Sequence, residues 1–490
     1  MLLPRLPPDA LQWSYAASTA AAISYADRGT SAIAASSLLN ELHWSESQLG
    51  NVQSSFFIGY GLTQIIGGIL GGEDTSNNSD SATKSGGYRT VLPISLLLTG
   101  IITMLFPLAA SYGVVWASAD RFCLGLLEGL ILPAAMAGIS DTTTKVSTDD
   151  IISENDNIKA TASSLVIAGC YIGSAWAYFS AWILYSEQFQ QLAKEWGYNG
   201  TIWPLVFYVN GIISIAILYF FRHEFNIQLE NISFGSSFTE NIMQKANNIW
   251  EDTISIANET ISSKSGRAIL SAQVGQGALL YSIASYSPLY LERVMPTQST
   301  ATNMMESSAT AVTAAASIAA SSLVLPQITQ ALVGVSIGTA ADKLSSNIGT
   351  RTTRRSLQLI SGVVPALILW YLSTSGDNNS LDLSPALLFG IAQTVSAFSL
   401  GGVSVSQLDI ASPEKAGSVY ALGNVAAAVS GSLMVSIFGQ LLDNASSAGM
   451  SNGNEFSLPF QLVALLSAVG SVIYAFTVET KLEIGSNQTD

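Results

Sequence analysis

The sequence predicts an all-α membrane protein with twelve transmembrane helices arranged in two halves of six. Of its 490 residues, 49% are apolar and only 11% are charged, whereas a soluble globular protein has about 25% charged residues. Twelve apolar stretches follow one another along the chain, each with at least the roughly 20 residues that a helix needs to cross a bilayer. The basic residues between them fall almost entirely on one side of the predicted membrane, as they do in multi-pass proteins.

The first half contains six predicted spans and one polar insert. The first span is longer than a bilayer requires, so we expect a short non-spanning end or a tilted helix. The insert at 73–87 is rich in Ser, Asn and Asp, and we expect it to be disordered. The six spans are predicted at 11–38, 51–72, 90–110, 113–138, 161–186 and 202–221.

A polar linker separates the two halves. Its apolar residues Ile242, Ile249 and Trp250 favour a short surface helix, and a flexible tether explains the composition equally well. The spans of the second half, of which the second is again long, are predicted at 267–291, 309–341, 355–374, 384–407, 416–440 and 456–477. The predicted domains are therefore the N-terminal half at 1–221, a cytoplasmic linker at 222–265 and the C-terminal half at 266–490.

The distribution of Lys and Arg fixes the predicted orientation. Fifteen of these 19 residues lie in segments on the side of the N-terminus, and only Lys194 and Arg293 lie in loops on the other side. Because cytoplasmic loops are enriched in Lys and Arg, both termini are predicted to be cytoplasmic. The sequence does not indicate whether the membrane is that of the cell, a plastid or a vacuolar compartment.

Glycines recur at four-residue spacing within several spans. Small residues at this spacing let membrane helices approach each other closely, so we expect these glycines to lie at helix crossings. The pairs are Gly67 and Gly71, Gly68 and Gly72, Gly125 and Gly129, Gly169 and Gly173, and Gly334 and Gly338.

Composition gives little support for an enzyme or for nucleic-acid binding. The net charge is −15, and its acidic residues are dispersed through solvated loops. His43 and His223 lie in predicted loops, Cys123 and Cys170 lie in different spans, and no metal-ligand cluster or catalytic nucleophile is evident. We expect no cofactor apart from a coupling ion, H⁺ or Na⁺, and we expect a monomer whose partners are a small anionic solute and the lipid bilayer.

Apart from Arg267 and Arg355, which are the first residues of their spans, Arg28 and Arg121 are the only basic residues inside the predicted spans. A charge at membrane depth costs several kcal/mol, so it is normally retained for something that it binds. Arginine offers a planar fork of donors that suits carboxylate or phosphate. Both arginines are therefore candidate anion ligands, although Arg28 in a position near the inner surface would instead extend its side chain to the interface.

Glu128 lies seven residues after Arg121, which places both on one face of the fourth span. A buried glutamate can load and release a proton as access alternates between the two sides, so Glu128 is the candidate proton carrier. An ion pair with Arg121, or pairs of Arg121 with Asp27 or Asp120, would instead serve only to hold helices together.

Three stretches together bring the chain close to a known family: HWSESQLGNVQSSFFIGYGLTQIIGGILGG at 43–72, RFCLGLLEGLILPA at 121–134 and GGVSVSQLDIASPEKAGSVYALGNVAAAVSG at 401–431. This chain resembles the anion:cation symporter branch of the major facilitator superfamily, which includes sialin, vesicular glutamate, type I sodium/phosphate and plant chloroplast anion carriers. The resemblance extends over almost all spans. It implies the major facilitator fold and anion transport.

The resemblance also implies roles for individual residues. The first-span arginine of the family falls on Arg28, and its R-x-x-x-G-x-x-E-G pattern falls on Arg121, Gly125, Glu128 and Gly129, implying anion binding by the arginines and ion coupling through the glutamate. Gln53 stands where the vesicular glutamate carriers have histidine. That difference favours a phosphate-like substrate.

Several positions depart from the pattern of the family. Its inner-loop gating signature is kept in the second half, which implies a gating role for Asp342 with Arg351 and Arg354, whereas the first half has Gly72 in place of the aspartate. The family's His and Asn in the seventh span are Gln273 and Gly277, and two further asparagines are Thr30 and Ser406. These departures leave the identity of the anion open.

The sequence therefore predicts a secondary active transporter of an inorganic or organic anion, phosphate or carboxylate, that works by alternating access and is coupled to protons or sodium. An anion-binding sensor without transport is the alternative. Further candidate cavity residues are Tyr60, Gln64, Gln273 and Asn424.

Overall fold

The computed structural model describes residues 8–72, 88–144, 152–220, 253–295, 308–374, 383–411, 413–451, 453–479 and 484. These residues are almost entirely helical, and their β-pairing is limited to an isolated bridge between Ala411 and Ile484. The insert at 73–87 and most of the linker, including Ile242, Ile249 and Trp250, lie outside the described residues. The predicted domain limits therefore stay a prediction.

Eight helices precede the linker. They are α1 (Pro8–Ile33), α2 (Ala35–Glu41), α3 (Glu46–Gly72), α4 (Tyr88–Ser111), α5 (Val114–Thr144), α6 (Ile152–Tyr185), α7 (Glu187–Glu195) and α8 (Trp203–Phe220).

Eight more helices follow in the described part of the chain, of which α9 belongs to the predicted linker and the other seven form the second half. They are α9 (253–262), α10 (Lys264–Val294), α11 (Ser308–Ile348), α12 (Thr350–Thr374), α13 (Pro385–Ser396), α14 (Val403–Asp409), α15 (Pro413–Ser447) and α16 (Ser457–Thr477). Tight turns join α4 to α5 and α11 to α12, at Gly113 and Gly349, whose φ angles are 114° and 86°. Glycine adopts this left-handed conformation at little cost.

Each of the twelve predicted spans falls on a helix or on a broken helix of this structure. Among the described residues, eight helical segments are by themselves long and apolar enough to cross a membrane, and Trp203–Tyr219 in α8 is a shorter apolar segment. The protein is therefore an all-helical, multi-pass membrane protein.

The helices of each half pack mainly on one another. In the first half α1 packs on α6, and α5 packs on α3 and α4; in the second, α10 packs on α15 and α16. The two halves meet where α3 packs on α15 and α6 packs on α11. A cavity between the halves is therefore bordered by helices from both.

The glycine prediction holds at the crossing of α3 and α5. A Cβ atom on Gly125 would collide with the backbone carbonyl of Phe56, and one on Gly59 would collide with that of Phe122. Gly169 and Gly173 of α6 are equally close to the backbone of α1. Gly338 differs, because a Cβ there would meet no atom within 4 Å.

The predicted span at 384–407 is not one continuous helix. It consists of α13, a 3₁₀ turn at Ala397–Leu400 and α14, because Gly401 and Gly402 interrupt the helical hydrogen bonds. Side chains of α12 satisfy the freed backbone groups: the Arg354 Nη1 donates to the Gly401 carbonyl at 3.2 Å, and the Gln358 Oε1 accepts from the Val403 N–H at 3.3 Å. Such compensation is what allows a helix to break at membrane depth.

Two shorter elements refine the predicted boundaries. The long first span ends as α1 at Ile33, and the chain continues after Ala34 as the separate short helix α2. The predicted loop after the fifth span contains α7, whose first turn is capped by Ser186 accepting a hydrogen bond from the Phe189 N–H. Its sequence is polar and too short to cross a bilayer, so it adds no span.

Candidate functional site

A cavity of about 150 Å³ lies between the two halves. Helices α1, α3, α5 and α6 line one side of it, and α10, α11 and α13 line the other. Both arginines predicted from the sequence, Arg28 and Arg121, contribute to its wall. The structure therefore brings together two residues that are 93 positions apart in the chain.

Arg28 is held by an ion pair and by aromatic rings. Its Nε lies 3.1 Å from the Glu128 Oε2, and its side chain is 11% exposed while that of Glu128 is fully buried. The guanidinium carbon lies 4.2 Å from the ring centres of both Tyr25 and Tyr60, at a distance where cation–π attraction is substantial. Arg28 therefore faces the cavity and does not extend to the membrane interface.

Glu128 pairs with Arg28, although the sequence placed it on one face with Arg121. The Glu128 Oε2 also accepts a hydrogen bond of 2.6 Å from the Ser24 hydroxyl, whereas its Oε1 has no hydrogen-bond partner. Seven-residue spacing put Glu128 and Arg121 on the same helix face, but it could not show that α1 brings a cation and a hydroxyl to that face.

Arg121 is a buried cation that forms no ion pair within 4 Å among the described residues, although Asp120, Asp27 and Glu128 lie close enough to interact with it electrostatically. It is 1% exposed, and its Nε and Nη2 have no hydrogen-bond partner. Its guanidinium carbon lies 4.1 Å from the ring centre of Phe106. Because buried donors without a partner cost free energy, an anion that accepts hydrogen bonds from Nε and Nη2 would stabilise this arrangement.

Asp27 is a further buried acid beside Arg121, and no site role was predicted for it. It is 1% exposed, and it interacts electrostatically with Arg121 and Glu128. Neither carboxylate oxygen is hydrogen-bonded, although Thr103 is a close neighbour. Its position next to Arg28 in the sequence carried no signal for this, since adjacent helical residues point in different directions.

The other predicted cavity residues lie in different places. Tyr60 packs under Arg28. Gln64 on α3 and Gln273 on α10 are buried, and Asn424 on α15 is half-buried, but none of these three lines the cavity. Their proposed contact with substrate stays a prediction.

The sequence model of the Major Facilitator Superfamily matches residues 17–435. The chain belongs to this family. The bacterial homologue of the human lysosomal transporter Spinster has the same fold, with a TM-score of 0.63, 13% identity and coverage of 96% of this chain and 98% of that one. The predicted major facilitator fold is thus confirmed.

Curated relatives of this major facilitator are anion carriers by name. A probable chloroplastic anion transporter 4 of Oryza sativa subsp. japonica is 25% identical over 91% of this chain and 65% of its own length. A putative inorganic phosphate cotransporter of Drosophila ananassae is 26% identical over 89% of this chain and 79% of its own length. The names of these relatives match the anion-transporter branch that the sequence predicted, a branch of carriers and not of enzymes.

At the end of this major facilitator that is predicted to face the cytoplasm, two of the three predicted gating residues form ion pairs. The Arg354 Nε lies 3.0 Å from the Asp409 Oδ2, and the Arg351 Nη2 lies 3.2 Å from the Glu479 Oε1. Both pairs are within the second half, so they join α12 to α14 and to the segment after α16. Asp342 is in α11, but its side chain lies outside the described part of the structure, and its gating role stays a prediction.

The opposite end of the bundle, which the sequence predicts to face outward, contains ion pairs and hydrogen bonds between the halves that the sequence did not reveal. Arg293 on α10 forms ion pairs with Glu46 on α3 and with Glu455, the latter at 3.2 Å. Asp443 on α15 accepts hydrogen bonds from the backbone N–H groups of Glu46 and Ser47, at 2.7 and 2.9 Å. We call these residues, Arg293, Glu46, Glu455 and Asp443, the outer lock.

The residues that line the cavity include groups able to bind an anion. Among the described residues, no group of His, Cys, Asp and Glu is arranged to hold a metal ion. The cavity instead offers two guanidinium groups, aromatic rings and side-chain amides.

Proposed function

We propose that the protein is a secondary active transporter that carries an inorganic or organic anion, a phosphate or a carboxylate, by alternating access. The observation that supports this most directly is the convergence of Arg28 and Arg121 on one cavity between the halves. Carriers of this fold hold their substrate near the middle of the membrane between two repeats. Relatives named as anion and phosphate carriers support the same substrate class.

Coupling to protons follows from the pair of Arg28 and Glu128. An ionised Glu128 neutralises Arg28 at 3.1 Å, whereas a protonated Glu128 leaves the charge of Arg28 available to an anion. Proton and anion would therefore bind together and leave together. Sodium binding near Glu128 would weaken the same ion pair, so the proposal includes Na⁺ as the alternative coupling ion.

The proposed carrier also has a defined orientation in the membrane and a gate at each end. Both termini are proposed to be cytoplasmic, in a membrane that the chain does not identify, and the carrier is proposed to be a monomer with one small anionic solute. Asp342, Arg351 and Arg354 are proposed to gate the inner end, and the outer lock is its counterpart at the other end.

Uptake into proteoliposomes tests this function. We expect labelled phosphate or a labelled carboxylate to accumulate under an imposed proton or sodium gradient, and we expect Arg121→Ala to abolish that uptake. Lys194→Ala, on the exposed helix α7, is the matched control and should transport normally.

The outcomes separate a carrier from a sensor. Saturable binding of an anion without any flux would show an anion-binding sensor and would contradict the proposal. Equal uptake by the intact protein and by Arg121→Ala would show that transport does not require Arg121 and would contradict its proposed role in anion binding.

A further inference from the structure

Basic side chains from two helices surround the end of α16, and none of them lines the central cavity. The Arg351 Nη2 lies 3.2 Å from the Glu479 Oε1, and the Lys264 Nζ lies 3.9 Å from the same oxygen atom. The Arg351 Nε and the Arg355 Nη2 both donate to the Val478 carbonyl, at 3.2 and 3.0 Å. Three cations from α10 and α12 therefore converge on two neighbouring acceptors. We call Lys264, Arg351 and Arg355 the basic cluster.

The basic cluster carries more positive charge than its ion pairs neutralise. Among the described residues, Glu479 is the only acidic residue that forms an ion pair with it. The nearby Arg354 pairs with Asp409 at 3.0 Å, so these two residues add no net charge. Three cations and one carboxylate leave an excess of two positive charges at the end of α16.

The basic cluster also has donors that the protein does not use. The Arg355 Nε is buried and has no hydrogen-bond partner, which costs free energy. The Lys264 side chain is 59% exposed, and that of Arg351 is 45% exposed. An anion with several acceptor oxygens, such as a phosphate group, suits donors of this kind because charge-assisted hydrogen bonds to phosphate are strong.

The position of the basic cluster along the membrane normal identifies the source of the phosphate group. Two predicted spans begin at 267 and 355, and a third ends at 477, so each member of the cluster lies within about one helical turn of a span end. Ile473 and Phe476, in the last turns of α16, are exposed and would contact lipid acyl chains. The cluster is therefore at the depth of the headgroups, which border the hydrocarbon core.

We propose that the basic cluster binds the phosphate of an anionic phospholipid, whose acyl chains lie along α16 beside Ile473 and Phe476. Basic groups at the ends of membrane helices bind anionic headgroups by electrostatic attraction. A zwitterionic headgroup is attracted less, because its own cation is repelled by the excess positive charge. This site goes beyond the proposed transport, since it contains no residue of the central cavity.

Lipid binding to the purified full chain in detergent tests this inference, with native mass spectrometry to count the bound lipids. The probes are dioleoyl phosphatidylglycerol and dioleoyl phosphatidylcholine, which share their acyl chains and differ in headgroup charge. We expect phosphatidylglycerol to bind about tenfold more tightly, because each basic residue near an anionic headgroup contributes a factor of about five. An excess of glycerol 3-phosphate, which has no acyl chains, should not displace it.

Removing the excess charge should remove this selectivity. We expect Lys264→Gln with Arg355→Gln to bind phosphatidylglycerol about tenfold more weakly and phosphatidylcholine as before. The matched control is Lys343→Gln with Lys415→Gln, which removes two charges from the same predicted side of the membrane. Lys343 is exposed on α11 and Lys415 pairs with Glu259, so the control should bind phosphatidylglycerol normally.

A variant expected to gain affinity separates lipid binding from damage to the fold. Glu479→Gln removes the carboxylate that pairs with Lys264 and Arg351, so both cations become available to the lipid. We expect phosphatidylglycerol to bind about fivefold more tightly to this variant. A misfolded protein would not show that gain.

Several results would overturn the lipid site. Equal binding of the two lipids to the unaltered protein, an equal loss in the control double variant, or no gain in Glu479→Gln would each contradict it. Displacement of phosphatidylglycerol by glycerol 3-phosphate would show that the basic cluster holds soluble phosphate esters and not a lipid. Anion transport through the central cavity would stand in each case.

Discussion

At the scale of single residues, the pair of Arg28 and Glu128 makes a specific prediction. Glu128→Gln keeps the shape of the side chain and removes its charge, so Arg28 loses its neutralising partner at 3.1 Å. We expect anion affinity to rise about tenfold, and to lose its dependence on pH, because the variant mimics the protonated state. Proton-driven accumulation should disappear, which uptake with and without a pH gradient would measure.

Glu259→Gln is the control for this change. Glu259 also pairs with a cation, Lys415, at 2.7 Å, but it lies outside the cavity, so binding and accumulation should be unchanged. Accumulation that persists in Glu128→Gln would show that another group, such as Asp27, carries the coupling ion.

The sequence identified the charged residues of the site but not all their contacts. Arg28, Arg121 and Glu128 could be found because charges inside apolar stretches are costly and rare. The contacts among these three residues depend on how α1 packs against α5, and the sequence pattern of a single helix does not reveal that packing. Gln327 and Gln393, which line the cavity, gave no comparable signal, since an uncharged amide in a span often serves only to hydrogen-bond one helix to another.

At the scale of helices, the crossing of α3 and α5 depends on glycine. A Cβ atom on Gly125 would overlap the Phe56 carbonyl, which belongs to the backbone and cannot rotate away. We expect Gly125→Ala to lower the free energy of unfolding by about 1–3 kcal/mol, the usual cost of overpacking. Thermal unfolding in detergent would measure this.

Gly338→Ala is the matched control within the same sequence pattern. A Cβ at Gly338 would meet nothing within 4 Å, so alanine should be neutral or slightly stabilising in the helix. An equal loss of stability in both variants would show that the close approach of the Phe56 carbonyl is not what makes glycine necessary at position 125.

Four-residue glycine spacing therefore predicted the crossings only in part. It was correct where two helices meet and uninformative at Gly338, because spacing does not show whether a neighbour is present. The break between α13 and α14 was missed for a related reason. Gly401 and Gly402 alone do not predict a break, because a continuous span can also contain glycines. The break depends on α12, whose donors and acceptors replace the lost helical hydrogen bonds.

At the scale of the whole molecule, hydropathy and the asymmetry of basic residues predicted a multi-pass helical bundle, because both reflect the bilayer and not the packing. The contacts between the halves in the outer lock had no such signal. Arg293 was merely one of two basic residues predicted in outer loops, and its partners Glu46 and Glu455 are 247 and 162 residues away in the chain.

The outer lock predicts how the halves separate. Arg293→Gln removes both ion pairs, and Glu455, whose side chain is 4% exposed, loses a partner that offsets its burial. If the lock supplies about 1.4 kcal/mol to the closed state, its loss should raise the population that is open outward about tenfold.

Ser432, buried and hydrogen-bonded to the Ser54 carbonyl of the other half at 3.0 Å, is a suitable reporter of this opening. As Ser432→Cys, with Cys123 and Cys170 replaced by serine, it should react faster with an impermeant thiol reagent in Arg293→Gln. Lys415→Gln breaks an ion pair that does not join the halves and should leave the rate unchanged. A rate unaffected by Arg293→Gln would show that packing alone, and not the ion pairs, keeps the outer end closed.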